Sequence, residues 1–188
     1  MKAYYEARAR EYDDWWNWHV AEHPEELDRL VRTIQELAPV RTLDVACGTG
    51  FLTRHLPGEV VALDQSETML ELAAQQAPEA ELVQGEGLVL PFEDGSFDRV
   101  FTSHFYGHLD ETERRRFLTE ARRVARELVV VDSAVRNETP PILMQERVLK
   151  DGSRWAVLKR YFTAEELAEE LGGGHVFHEG DYFVVVQA

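Results

Sequence analysis

A glycine-rich loop at residues 46–50 is the part of this chain best suited to hold a small ligand. Its sequence, ACGTG, ends the apolar run at residues 42–46, which predicts a buried strand opening into a turn. Gly48 and Gly50 let the backbone approach a ligand closely, and a helix starting near Phe51 would direct its amide groups at an anionic group. Ligands of open parallel sheets bind beyond the carboxyl ends of the strands, where this loop lies.

The residues around the loop favour a nucleoside with an amino-acid end over a dinucleotide. A dinucleotide fingerprint needs a third glycine three residues after Gly50, where this chain has Thr53, so a nicotinamide oxidoreductase is disfavoured. The Lys-Ser/Thr ending of a phosphate-binding P-loop is also missing. Asp44 can accept hydrogen bonds from an ammonium group, and Asp64, at the end of the next predicted strand, from two ribose hydroxyls. One phosphate-free ligand satisfies the whole set.

Apolar runs and helical patterns alternate along most of the chain. Strands are predicted at residues 60–63, 81–84, 98–102 and 128–131, each separated from the next by a helix or a loop. This rhythm predicts an α/β sheet with helices on both faces. The helix starts follow from Pro24 as a first residue, Ser66 as a cap, and the capping pairs Asp110 with Glu113 and Thr163 with Glu166.

The end of the chain departs from this rhythm. A hairpin is predicted around Asp151 and Gly152, and a last strand at residues 182–186. His175 and His178 fall on a predicted edge strand, with a solvated surface as their default interpretation. We expect a single domain, with an aromatic cap helix at residues 1–23, a cofactor-binding core at 24–133, an insertion with the hairpin at 134–162, and a helix with strands at 163–188.

Composition narrows the range of partners. The formal charge of −15 opposes binding to nucleic acid or to anionic lipid, which normally needs a basic patch. No run approaches the roughly 18 apolar residues of a membrane span, and the single cysteine, Cys47, fits a reducing compartment. We therefore expect a cytoplasmic protein, a monomer or a homodimer, that binds neither nucleic acid nor membranes. Cys47 needs no catalytic role in a tight loop.

Three segments of the sequence resemble a known family. LDVACGTG, VVALDQS and VQGEGLVLPFEDGSFDRVF are similar to the motifs of the class I S-adenosylmethionine-dependent methyltransferases. The resemblance implies a three-layer Rossmann-like fold, with a mostly parallel seven-stranded sheet of order 3-2-1-4-5-7-6 whose last strand is antiparallel. It also implies S-adenosylmethionine as cofactor, S-adenosylhomocysteine as product and a small molecule as methyl acceptor.

The same resemblance implies the residues of the cofactor site. The loop residues Asp44, Ala46, Gly48 and Gly50, with Cys47 among them, would surround the methionine part. Asp64 would bind the ribose, and Gln65 and Met69 would lie along the nucleoside. The adenine would meet Glu86, Gly87 and Leu88, although the family commonly has aspartate at the position of Glu86. Ser103 would border the methionine end, and Tyr12 would cover the site.

Candidate catalytic residues follow the fourth predicted strand: His104, Tyr106 and His108. A general base helps only if the acceptor must lose a proton, and many members of the family carry a histidine like His108 in a structural role. No third ligand stands at a recognisable spacing from the two histidines, so no metal is expected.

Two further groups of residues are candidates for binding the substrate. Tyr4, Tyr12 and Trp15 form part of an aromatic stripe at helical spacing, which either covers the site or packs in the core. The insertion is rich in basic residues, and one or two of them can pair with a carboxylate or phosphonate; the alternative is a solvated hairpin face. The basic residues are Arg136, Arg147, Arg154, Lys159 and Arg160, of which Arg147 and Arg160 are the predicted substrate residues.

These features predict a small-molecule methyltransferase, with an oxygen of an anionic acceptor as the expected site of methylation. The alternative is a protein that binds the cofactor without a competent acceptor pocket, acting as a sensor or a partner subunit.

Overall fold

A computed structural model describes residues 2–14, 22–136 and 139–188 of the chain. Five strands, each nearly or fully buried, form the middle of its main sheet, and helices precede or follow most of them. The helices are α1 (Lys2–Arg8), α2 (Pro24–Gln35), α3 (Glu67–Gln76), α4 (Glu111–Val124) and α5 (Ala164–Glu170). The strands are β1 (Thr42–Val45), β2 (Val60–Asp64), β3 (Glu81–Gln84), β4 (Arg99–Ser103), β5 (Glu127–Ser133), β6 (Ile142–Val148), β7 (Arg154–Arg160), β8 (His175–Glu179) and β9 (Phe183–Gln187).

The main sheet has seven strands in the order β3-β2-β1-β4-β5-β9-β8. Strands β1 to β5 pair in parallel, and β9 pairs antiparallel with both β5 and β8. Strands β6 and β7 form a separate antiparallel hairpin. The predicted Rossmann-like fold is confirmed, because the same order results when only the seven strands of this sheet are counted.

Apolar side chains project from both faces of the sheet and form one hydrophobic core on each side. In β5, Leu128 and Val130 join one core with α4 and α5, whereas Val129 and Val131 join the other with α2. Successive residues of a strand point to opposite faces, so a continuous apolar run such as β5 requires cover on both sides. Continuous burial therefore accounts for the three layers.

Four of the predicted helix starts are confirmed. Ser66 caps α3 by accepting a hydrogen bond from the Met69 backbone at 3.1 Å. Complete capping boxes open α4 and α5, formed by Asp110 with Glu113 and by Thr163 with Glu166. Helix α2 begins at Pro24 as predicted but ends at Gln35, three residues before the predicted end.

The helix predicted to start near Phe51 is wrong. Only a three-residue 3-10 helix forms there, at Thr53–His55, and Leu56 is extended with ψ at 129°. Pro57 follows Leu56 and disfavours a helical conformation for it, so the turn cannot propagate. The glycine loop therefore has no α-helix dipole behind it, and any ligand there must be held by backbone and side-chain groups.

The loop after β1 reverses direction through three residues with positive φ: Ala46 at 60°, Gly48 at 56° and Gly50 at 80°. A residue with a Cβ atom is strained in this region, by about 1–2 kcal/mol in the left-handed helical conformation. At Gly50 a Cβ atom would also lie 3.1 Å from Cα of Ala73 in α3. The loop therefore carries strain at Ala46 and tight packing at Gly50.

We predict opposite effects for substitutions at these two positions. Ala46→Gly should raise the free energy of unfolding by up to about 1 kcal/mol, because the relief of backbone strain in the folded state exceeds the entropy that glycine adds to the unfolded chain. Gly50→Ala should lower it by more than about 1 kcal/mol, because strain and a close contact add. Urea titration measures both values, and a destabilised Ala46→Gly protein would contradict the assignment of strain.

Candidate functional site

A cavity of about 300 Å³ lies beyond the carboxyl ends of the parallel strands. This volume falls within the usual range for small-molecule sites. The predicted cofactor residues on its wall are Tyr12, Ala46, Gly48, Asp64, Gln65, Met69, Glu86, Gly87, Leu88 and Ser103. Other residues of the wall were not predicted for the cofactor: Lys2, Tyr5, Leu63, Gly85, His104, Phe105, His108, Leu109 and Glu113.

Asp64 organises the end of β2 and the glycine loop together. Its Oδ2 accepts a hydrogen bond from the Gly48 backbone at 3.0 Å, and its Oδ1 accepts one from the Ser66 backbone at 2.9 Å. Burial raises the pKa of this carboxyl, while the two backbone donors work in the opposite direction. Because Asp64 also lines the cavity, each oxygen retains acceptor capacity for a pair of ligand hydroxyls.

Asp44 lies behind the loop rather than on the cavity wall, and only 2% of the residue is exposed. Its Oδ2 accepts a hydrogen bond from Thr53 Oγ1 at 2.6 Å, and its Oδ1 is buried without a hydrogen-bond partner. Burial raises the pKa of Asp44 to about 7, with the Thr53 hydroxyl opposing the shift. A buried carboxylate oxygen without a donor is a feature that a cationic ligand group would satisfy.

Cys47 and Gly50 also lie off the cavity wall. The Cys47 backbone donates a hydrogen bond to Leu63 O at 3.0 Å and accepts one from the Gly50 backbone. Burial raises the pKa of the Cys47 thiol well above its usual range, so the side chain stays protonated and unreactive. These two residues shape the loop without facing the cavity.

Gly87 lies where the adenine was predicted to bind. A Cβ atom there would approach Phe105 and Val45 at 3.0 Å, so the close packing of the wall requires glycine. Its neighbour Glu86 is exposed and Leu88 is half-buried. This end of the cavity is therefore open to solvent on one side.

Part of the N-terminal segment covers the cavity. Tyr5 and Tyr12 line it, and burial raises the pKa of Tyr12 to about 12, so its hydroxyl stays protonated. Tyr4 instead packs in a small core with Leu149 and Val157, with 3% of its surface exposed. The prediction that Tyr4 binds substrate is therefore corrected to a packing role, and Trp15 lies outside the described residues.

His108 is held by the hairpin. Its Nδ1 lies 2.6 Å from the Leu158 carbonyl, which can only accept, so Nδ1 carries the proton and Nε2 is the acceptor. Burial, followed by the charge of Lys159, lowers the pKa of His108 to about 3. The ring is therefore neutral and weakly basic. His104 has a φ of 52° and, like His108, lines the cavity.

The catalytic role predicted for Tyr106 is corrected by the structure. Its ring is fully buried against Phe117 and Phe162, and its hydroxyl donates to Glu170 Oε1 at 3.0 Å. Tyr106 lies between Phe105 and Gly107 in a 3-10 turn that directs its ring into the core. Residue type alone does not show which side chains of such a turn point into the core and which point into the cavity.

A second cavity, of about 190 Å³, shares Tyr12, His104 and His108 with the first. The remaining residues of its wall are polar or aromatic, and four of them are cationic: Arg8, Ser133, Arg136, Gln145, Arg147, Lys159 and Tyr161. Lys159 is compensated, because its Nζ donates to Asp132 Oδ1 at 2.7 Å. The three arginines have no carboxylate within 4.0 Å among the described residues.

Arg147 presents the clearest unmet hydrogen-bonding capacity in this second cavity. Its Nη2 donates to Gln145 Oε1 at 2.5 Å, whereas its Nε is buried without a partner. Arg160, the other predicted substrate residue, is directed elsewhere: its Nη1 lies 2.8 Å from Glu170 Oε2, and its guanidinium stacks over Phe162. The substrate prediction for Arg160 is therefore corrected. Arg154 pairs with Glu146 at 2.6 Å on the exposed hairpin face.

Asp132, at the end of β5, was missed by the sequence prediction. It is fully buried, and its Oδ2 accepts a hydrogen bond from the Gly107 backbone at 2.7 Å. Burial raises the pKa of Asp132, but Lys159 and His104 outweigh that effect and lower it overall. Its position after an apolar strand, equivalent to that of Asp64, is the signal that could have identified it.

No group of three His, Cys, Asp or Glu side chains within residues 2–14, 22–136 and 139–188 is placed to hold a metal ion. Over the same part of the chain, no helix has the length and apolar character to cross a membrane.

Comparison with known proteins gives the family of the cofactor half. The family model described as a methyltransferase domain matches residues 43–129. The demethylmenaquinone methyltransferase of Thermotoga maritima is 39% identical over 101 residues, which are 51% of this chain and 43% of that protein. The enzyme of the same name from Lactococcus lactis subsp. lactis is 39% identical over 83 residues, 38% of this chain and 33% of that protein. The chain thus spans less than half the length of these curated relatives.

Solved structures match almost the whole chain. A DhpI-SAM-HEP complex aligns with a TM-score of 0.77 and 27% identity, covering 98% of this chain and 94% of that one. A DhpI-SAH complex aligns with a TM-score of 0.75 at the same identity, covering 98% and 92%. Taken with the strand order and the loop after β1, these likenesses show a methyltransferase domain at residues 43–129 within the Rossmann-like fold of S-adenosylmethionine-dependent methyltransferases.

Proposed function

We propose that this protein transfers the methyl group of S-adenosylmethionine to an ionised oxygen of a small anionic molecule. The observation that carries the proposal is the pair of adjoining cavities, one matched to the cofactor and one surrounded by three uncompensated arginines. The two cavities share Tyr12, His104 and His108 as wall residues, so their contents lie side by side.

The larger cavity fits S-adenosylmethionine through features of its own wall. Asp64 offers two carboxylate oxygens to the ribose hydroxyls, and Gly87 and Leu88 line the end of the cavity where the adenine would lie. The amino-acid end would extend toward Ala46 and Gly48, where the unpartnered Asp44 oxygen lies behind the loop. S-adenosylmethionine supplies a methyl group made electrophilic by its sulfonium.

The smaller cavity fits an acceptor with a compact negative charge. The whole chain carries a formal charge of −15, yet Arg8, Arg136 and Arg147 converge here without a carboxylate partner among the described residues. Guanidinium groups form paired hydrogen bonds with carboxylate or phosphonate oxygens, and the buried Nε of Arg147 is one such donor. A neutral acceptor would leave these charges unsatisfied.

An ionised oxygen fits because neither His108 nor Tyr12 is a strong base. The pKa of His108 is about 3, and the Tyr12 hydroxyl stays protonated, so neither group removes a proton readily near neutral pH. An acidic acceptor has already lost its proton and needs only orientation and the exclusion of water. In the proposal the arginines orient it, and Tyr5 and Tyr12 exclude water.

A protein that binds the cofactor without transferring a methyl group is the alternative. Incubation with S-adenosylmethionine and a panel of anionic and neutral acceptors separates the two functions, with release of S-adenosylhomocysteine as the readout. The panel should include a quinol, because two of the relatives are demethylmenaquinone methyltransferases. Cofactor binding without product from any acceptor would favour the binding protein.

We predict that Asp44→Asn stabilises the free protein and weakens cofactor binding. Burial raises the pKa of Asp44 to about 7 in the folded protein. Ionising this carboxyl above its usual pKa therefore lowers the free energy of unfolding, and the full loss is reached only above pH 7. The stability gain of the variant should therefore grow by about 2 kcal/mol between pH 5 and pH 8. S-adenosylmethionine should bind at least about tenfold more weakly, because a carboxylate near its ammonium is lost.

Urea titrations at the two pH values and calorimetry of cofactor binding measure these effects. Asp28→Asn, on the exposed face of α2, is the matched control and should change neither quantity. A variant with unchanged cofactor affinity would remove Asp44 from the proposed site.

We predict that Arg147→Ala weakens the preference for anionic acceptors and that Arg160→Ala does not. Arg147→Ala should raise KM for an anionic acceptor by at least about tenfold, because it removes a charge-assisted contact, and should leave neutral acceptors unaffected. Arg160→Ala should leave both unchanged, since its guanidinium pairs with Glu170. Steady-state kinetics with matched acceptors tests this, and an unchanged preference for the anion in both variants would refute the anionic acceptor.

We predict that His108→Asn retains most of the activity. The asparagine amide can still donate to the Leu158 carbonyl, and an ionised acceptor needs no base, so kcat should fall by less than about tenfold. The wild-type kcat should also show no ionisation of His108 between pH 5 and pH 8, because its pKa is about 3. A loss of about 100-fold or more would assign general-base catalysis to His108.

A further inference from the structure

Arg8 occupies a position that connects the two cavities. It lines the smaller cavity, and its guanidinium lies 4.8 Å above the ring of Tyr12, which lines both. Its Nη1 also donates to Tyr4 Oη at 2.8 Å. Arg8 belongs to the N-terminal segment at residues 2–14, whereas the other cationic residues of the cavity follow β5 or belong to the hairpin.

We propose that Arg8 is a binding residue for the acceptor, and that the N-terminal segment thereby couples acceptor binding to cofactor binding. The inference rests on the proposed function of the two cavities. It adds a residue that completes the acceptor site and a thermodynamic coupling between the two sites.

The charge of Arg8 is available to a ligand. No carboxylate lies within 4.0 Å of it among the described residues, and its hydrogen bond to Tyr4 uses only one of five N–H donors. Stacking on Tyr12 fixes the plane of the guanidinium and leaves its edge free. A fixed guanidinium with free donors is suited to two oxygens of one anion.

The N-terminal segment is anchored on the cofactor side of the site. Glu6 Oε1 accepts hydrogen bonds from the backbone and the hydroxyl of Thr68, at the start of α3. Asp13 accepts one from Thr49 of the glycine loop at 2.6 Å and one from Gln76 at 2.5 Å. Tyr12, between these anchors, packs beside Gly48, where a Cβ atom would lie 3.8 Å from its ring.

The same segment is anchored on the acceptor side. Glu11 accepts a hydrogen bond from the Lys150 backbone at 3.1 Å, and Asp14 lies 2.6 Å from Lys150 Nζ. Lys150 belongs to the turn of the β6–β7 hairpin, whose inner face carries Arg147. These contacts are exposed, and exposed ion pairs contribute little each, so the segment is held by contacts that ligands can readily reinforce.

A cofactor that packs against Tyr12 restricts the motion of the Tyr12 ring, on which the guanidinium of Arg8 is stacked. The acceptor then finds Arg8 already in place and loses less conformational freedom on binding. Thermodynamic linkage requires the reverse effect as well, so the acceptor must strengthen cofactor binding by the same factor.

Calorimetry with inorganic phosphate as the anionic probe and S-adenosylhomocysteine as the cofactor ligand tests the inference on the full chain. For the wild type, saturating S-adenosylhomocysteine should tighten phosphate binding by about tenfold. Arg8→Gln should weaken phosphate binding in the presence of S-adenosylhomocysteine by at least about tenfold and abolish the coupling. It should leave S-adenosylhomocysteine binding in the absence of phosphate within about twofold.

Arg10→Gln is the matched control, because Arg10 lies on the exposed side of the same segment and lines neither cavity. It should reproduce every wild-type value. Circular dichroism of each variant establishes that it folds before the titrations are compared.

Arg147→Gln separates failure of the inference from failure of the proposed function. If Arg147→Gln weakens phosphate binding and Arg8→Gln does not, the acceptor site stands and the role of Arg8 is overturned. If the wild type binds no phosphate, or neither variant weakens its binding, the anionic acceptor site itself is wrong. Phosphate binding that depends on Arg8 but not on S-adenosylhomocysteine would keep Arg8 as a binding residue and overturn the coupling.

Discussion

Buried aspartates at the carboxyl ends of parallel strands hold the loops of this site in place. Asp64 binds the backbone of Gly48 and Ser66, and Asp132 binds the backbone of Gly107 and the side chain of Lys159. A buried carboxylate requires donors, and the nearest ones are the amides of loops that leave neighbouring strands. Asp64 therefore fixes two loops relative to the sheet, Asp132 fixes one loop and strand β7 of the hairpin, and the two cavities lie beside the elements so fixed.

The division of charge follows from these contacts. Asp132 compensates Lys159 within the wall of the smaller cavity, so in the proposed function the three arginines are left to meet an incoming anion. In the same proposal Asp64 and, behind the glycine loop, Asp44 match the hydroxyl and ammonium groups of the cofactor. The proposal thus places two ligands of different charge in adjoining cavities, with neutral His108 and protonated Tyr12 between them.

Local sequence signals predicted the cofactor side of the site better than the acceptor side. The glycine loop, Asp64 and the helix caps depend on neighbours within a few residues, and the structure has them where they were predicted. Tyr106 and Arg160 were predicted for the site from their positions near a strand end and in a basic insertion, but Glu170 holds both side chains. Glu170 is distant in sequence from Tyr106, so no local pattern could show this contact.

The sequence by itself determined most of the strands, four helix starts and the glycine loop, because apolar periodicity, caps and glycine spacing act over short stretches of chain. Only the tertiary structure decided which cationic side chains reach the smaller cavity and which turn away. Arg8 is distant in sequence from Arg136 and Arg147, and the three side chains meet only after the N-terminal segment and the hairpin pack across the strand ends. Folding brings these positive charges together, so the net charge of −15 does not reveal the positive charge at this cavity.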